Sequence, residues 1–149
     1  MQNLRLFTGL FVLAIVVALC TSIIGQKKGG ADRPLKAELT GAAEAPNPGD
    51  PDGQGQASFS FNPGQNQICY ELSVKNIQEA MAAHIHEGAA GKAGKVVVPL
   101  DAPKNGSSKG CADVDQAVMK EIMQNPSNYY VNVHNAEFKG GAVRGQLSK

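Results

Sequence analysis

Met81–Leu100 reads MAAHIHEGAAGKAGKVVVPL, and Tyr129–Leu147 reads YYVNVHNAEFKGGAVRGQL. Together they hold all three histidines of the chain, His84, His86 and His134. Successive side chains of a strand point to opposite faces, so His84 and His86 share one face and Ile85 takes the other. The second stretch alternates in the same way. Val131 and Val133 point one way, and Tyr130, Asn132 and His134 point the other. With the two strands side by side, three imidazoles gather on one face while Ile85, Val131 and Val133 enter a core.

Working outward, the chain carries further alternating runs. Leu35, Ala37 and Leu39 give a first strand over 35–40. Ala57, Phe59 and Phe61 mark one over 55–61, and Ile68, Tyr70, Leu72 and Val74 one over 67–74. Asn62–Asn66 is the hairpin connection between these two. Residues 82–86, 95–100, 129–134 and 142–147 complete about seven short strands. Ala42–Gln54, with Pro46, Pro48 and Pro51, reads as a long surface loop, and Asp101–Gly110 as another. One helix is expected over 113–124, capped by Asp113, with Val114, Ala117, Val118 and Ile122 as its apolar stripe and Pro126 beyond its end. The fold class that follows is all-β, an antiparallel Greek-key sandwich or partly closed barrel with that one helix.

Composition fits an exported domain. Arg5 precedes a mostly apolar run, Leu6–Gly25, which reads as a signal peptide. An uncleaved anchor attaching the chain to a membrane through residues 6–25 stands beside that reading. Lipidation at Cys20 is a third possibility, with bulky Leu19 against it. Residues 26–34 form a linker, and a domain spans 35–149. Each alternative puts the domain outside the cytoplasm, as a periplasmic, extracellular or membrane-anchored protein. The chain has 14 basic and 13 acidic residues. Residues 1–25 contribute only Arg5, so the remainder is neutral and carries no basic stripe for nucleic acid. Cys69 and Cys111 suit one disulfide in an oxidising compartment, with two buried free thiols as the alternative.

Three imidazoles on one face form a set that prefers copper, as Cu(I) or Cu(II), with zinc as the alternative occupant. Tyr130 is placed to supply a fourth ligand or to support one, and Asn132 to orient a ring. Glu87 lies on the opposite parity next to a turn, as a solvated residue or a support behind the ligands rather than a ligand itself. A blander reading has the histidines brace the glycine-rich turn Glu87–Gly94. Ser58, Ser60 and Ser73 lack a nucleophile-elbow setting. Asp50 and Asp52 lack a complete calcium-ligand pattern.

The segment Leu39–Pro46, LTGAAEAP, together with the two histidine stretches, resembles the CHRD domain, first named from chordin, over Leu35 to about Ser148. Secreted bacterial proteins made of little more than one such domain belong to that family, whose resemblance leaves the activity open. The histidine pattern is also similar to the copper half of copper-zinc superoxide dismutase. That resemblance implies His84, His86 and His134 as copper ligands and Arg144 as a guide for an anion, the other role for Arg144 being a pair with Glu137 or another carboxylate. A fourth histidine is missing, so a zinc site and full dismutase chemistry are not implied. Two functions follow. One is an exported copper-binding protein with a mononuclear site, redox-active or engaged in copper handling. The other is a metal-free extracellular module that holds a protein or polysaccharide.

Overall fold

A computed structural model describes residues 33–149. The N-terminal segment read as signal peptide or anchor lies outside the described residues. Among them, the elements run β1 (Leu35–Thr40), β2 (Gln54–Asn62), β3 (Gln67–Lys75), β4 (Ala80–Glu87), β5 (Val96–Leu100), β6 (Ser107–Asp113), α1 (Gln116–Gln124), β7 (Tyr129–Asn135) and β8 (Val143–Gln146). All eight strands join one antiparallel sheet in the order β5-β4-β7-β8-β1-β2-β3-β6.

The sheet curls into a nearly closed barrel, and the junction at its middle is thin. β1 meets β8 through the pair Thr40↔Arg144 and the residue beyond β8 through an isolated bridge, Lys36↔Ser148, whereas β2 and β3 pair over nine positions. The two four-stranded halves can therefore fold towards each other like the layers of a sandwich. Across the far seam the Tyr70 hydroxyl donates to Asp101 Oδ2 at 3.0 Å and accepts the Asp101 N–H at 2.8 Å. Ser108 Oγ donates to the Asp101 carbonyl at 2.8 Å beside it. Pro99, which has no N–H to give a ladder, sits on the edge strand β5, where the loss is harmless.

The inward positions are those the alternation expects. Leu35, Ala37, Leu39, Ala57, Phe59, Ile68 and Leu72 from one half meet Ala83, Ile85, Val98, Val131, Val133 and Val143 from the other, all buried. Phe61 and Val74 pack against this core only in part.

Two expectations change. Ser107–Asp113, read as loop and helix start, is a strand that pairs with β3 from Gln67↔Asp113 to Ser73↔Ser107. Its Ser, Lys and Gly residues carry little strand propensity, and the tertiary pairing overrides them. Cys69 and Cys111 face each other directly in this pair and are disulfide-bonded. Asp113 is therefore no helix cap; its Oδ1 accepts from Gln67 Nε2 at 2.9 Å. Asp115 caps α1 instead, accepting the N–H groups of Ala117 and Val118 at 2.8 and 3.3 Å. Shifted so, the helix buries Met119 and Ile122, while Ala117 is exposed.

Ile85 is fully buried between β5 and β7, opposite Val98 and Val131. Replacing it with alanine is expected to cost about 2–5 kcal/mol, by lost burial and a residual cavity. Urea denaturation of the Ile85→Ala variant checks this.

Candidate metal centre

The outward face of β5, β4, β7 and β8 carries two cross-strand rows. In one, Pro99, His84, Asn132, Arg144 and Thr40 follow each other from strand to strand. In the other, Val96, His86, Tyr130 and Gln146 do so. His134 lies one step along β7, opposite Ala82. The third ring thus reaches the pair diagonally.

The three rings converge. Their centroids lie 5.5 Å (His84–His86), 5.1 Å (His84–His134) and 6.3 Å (His86–His134) apart. Each residue offers a nitrogen, and these atoms all lie within 4.8 Å of one another. Two ligands on opposite sides of one ion at ~2 Å bonds are about 4 Å apart, so the rings need to close by less than about 1 Å.

Backbone contacts fix which nitrogens carry lone pairs. His86 Nδ1 sits 2.9 Å from the Gly94 carbonyl, and His134 Nδ1 sits 3.0 Å from the Lys139 carbonyl. A carbonyl only accepts, so both Nδ1 atoms carry the proton and both Nε2 atoms hold the lone pair. His84 Nδ1 then donates to His134 Nε2, 3.2 Å away. His86 Nε2 is buried without any hydrogen-bond partner. An acceptor nitrogen in that position, beside two other imidazoles, fits a metal ion as its missing partner. Burial holds the pKa of His84 below the usual value, helped by the charges that His134 and His86 would carry. Burial lowers His134 likewise, against the Lys139 carbonyl, which favours its charged form. Neutral imidazole is the form that binds metal.

The neighbours expected beside the histidines are both on this face. Tyr130 stacks on His86, with centroids 4.8 Å apart and planes 8° from parallel, and its hydroxyl accepts the Gly94 N–H at 3.1 Å. Asn132 is buried between His84 and Arg144 in its row. The bracing role of the histidines is also present, since His86 holds the glycine-rich loop through Nδ1. That loop needs glycine at 94, where a Cβ would fall 1.6 Å from the Glu87 carbonyl oxygen. Glu87 itself is exposed and pairs with Lys95 at 2.9 Å.

Arg144 is only 1 % exposed. Guiding an anion from solvent calls for an open guanidinium, and this one lies 3.4 Å over the Tyr130 ring with its donors on the carbonyls of Lys92 and Ala89. Glu137 instead accepts from Gln78. The carboxylate near Arg144 is Glu44, which nothing in the sequence beyond its LTGAAEAP setting sets apart. Gly141 makes room for it, because a Cβ there would lie 2.1 Å from Glu44 Oε1. Desolvation raises the Glu44 pKa to about 7, against the charge of Arg144 and hydrogen bonds from Ala45 and Asn132. Its Oε1 and Asn132 Oδ1 have no donor. Asp50 and Asp52 form only a local turn, Asp50 Oδ1 accepting from the Asp52 N–H at 3.1 Å.

A carboxyl raised on folding binds its proton more tightly in the native state. Its contribution to stability is therefore most favourable below the unfolded value of 4.5, and is lost as pH rises to about 7. The shift corresponds to about 3 kcal/mol. Glu44→Gln, which cannot ionise, is expected to gain stability relative to the native chain as pH rises through this window. Denaturation midpoints of both proteins at pH 4.5, 6 and 8 measure the gap, and a gap constant with pH would refute this account.

The CHRD domain family model matches residues 35–147, and the chain belongs to that family. No curated protein and no solved structure matches it.

Proposed function

We propose that this member of the CHRD family is an exported copper-binding protein, with one ion held by His84, His86 and His134. The observation that carries the reading is the convergence of three imidazoles, each offering a nitrogen within 4.8 Å of the others, with Nε2 of His86 buried and unpartnered. An all-nitrogen set without thiolate or carboxylate suits copper, which also stands highest in divalent affinity for such ligands. The disulfide points to an oxidising compartment, in keeping with export. Of the two roles open to Tyr130, its contacts favour supporting His86 over binding the ion. His84 and His134 are half-buried where His86 is buried, so the open position lies on their side of the site. When bound there, copper supplies one-electron exchange to a small molecule, or is itself the cargo. The chain's own residues favour the neutral forms of His84 and His134, hold the Nδ1 sides of His86 and His134 on backbone carbonyls, and wall His86 off from water.

Calorimetric titration of the metal-stripped protein with Cu(II), Cu(I) and Zn(II) tests this. One copper ion per chain is expected, bound more tightly than zinc. Each single His→Ala change at 84, 86 or 134 should lower copper affinity by more than the 10–100-fold typical of residues behind the ligands. Far-ultraviolet circular dichroism should stay unchanged, since none of the three rings points into the core. Copper binding that survives all three substitutions, or no binding at all, would leave the metal-free extracellular module as the reading of this domain.

A further inference from the structure

The loop between β4 and β5 is tied down mainly by β7 and β8. Arg144 Nη1 donates to the Lys92 carbonyl and Nη2 to the Ala89 carbonyl, each at 2.9 Å. Gln146 Nε2 donates to the Gly88 carbonyl at 2.6 Å and to the Ser127 carbonyl at 2.8 Å, while its Oε1 accepts from Arg144 at 3.3 Å. At the far end of the loop, Gly94 gives its N–H to Tyr130 and its carbonyl to His86 Nδ1. That last bond decides which nitrogen of His86 keeps a lone pair. Arg144 therefore reaches His86 by two routes, along the loop to Gly94 and through the Tyr130 ring, which His86 flanks from β4 and Arg144 from β8.

We propose that Arg144 is a positioning residue for His86: it fixes the loop that holds the Nδ1 proton and so presents Nε2 to the ion. The proposal rests on the copper reading above. The chemistry explains the residue type. A guanidinium is planar, lies flat on an aromatic ring and spans two carbonyls at once, and a lysine ammonium does not. Buried as it is, Arg144 also cannot let go of those carbonyls without leaving its charge unpaired.

The test compares the native chain with Arg144→Met and Arg144→Lys. In metal-free protein, 15N spectra of labelled histidines report which ring nitrogen carries the proton. His86 is expected as a single Nδ1–H form in the native chain and as a mixture of tautomers in Arg144→Met, with His84 and His134 unchanged. Arg144→Lys should recover part of the native signal. Copper affinity of Arg144→Met should fall about tenfold, with a shifted Cu(II) hyperfine splitting. In a His86→Ala background the same change should cost nothing further. The proposal is overturned if His86 keeps one tautomer in Arg144→Met, if all three histidines change together, or if the affinity loss persists without His86. Should Arg144→Met fail to fold, Gln146→Leu loosens the same loop with Arg144 in place and is read in the same way. A native chain that binds no copper would remove the copper reading alone, because the tautomer measurement needs no metal.

Discussion

The pairing of β4 with β7 sets the geometry on which both the core and the histidine face depend. Ile85 faces Val131, His84 faces Asn132 and His86 faces Tyr130 in one register. A slip by one residue would turn every side chain of a strand over, taking imidazoles into the barrel and valines out to water. The hydrophobic demand of the core therefore places the histidines, although none of them touches it. One irregularity, the bulge between Ala80 and Ala82, lies at the end of this pair where His134 joins the other two rings.

Over this face the β4–β5 loop closes on one buried cation. It brings the carbonyls of Ala89 and Lys92 to Arg144, and the Glu44 carboxyl of the segment after β1 lies near enough to feel the charge. A charge taken from water needs close, well-directed partners, and Arg144 has them on several sides. The guanidinium thus acts as a rivet between elements distant in sequence. Beside it, the carboxyl of Glu44 and the amide of Asn132 keep buried atoms without partners.

The site combines bracing and availability in the same side chains. His86 and His134 each give one nitrogen to a backbone carbonyl; the other nitrogen of His134 meets His84, and that of His86 has no partner. A ring held on one side is stiff and pre-aimed, and its loose nitrogen is the one an ion would take. Holding the loop and holding a metal are two ends of one imidazole.

Alternation alone was enough to read most strands, the facing of Ile85, Val131 and Val133, and the gathering of three histidines on one side, because strand periodicity is local chemistry. The cysteine pair was legible as a bridge or as two free thiols, and the direct opposition of Cys69 and Cys111 in β3 and β6 decides for the bridge. β6 was not legible, since Ser-Ser-Lys-Gly-Cys has little strand character of its own and becomes a strand only through β3. The one hint was Cys111, whose bridge to a strand residue implies a strand opposite. The cap on α1 moved from Asp113 to Asp115 because the strand claims Asp113 first. The sequence offers Arg144 as an anion guide or a surface ion-pair partner and sets Glu44 apart only by its LTGAAEAP setting; neither reading foresees that both are buried. Only the closing of two loops over the sheet buries them and joins them to the histidine face, and such long-range desolvation leaves no periodic trace in the chain.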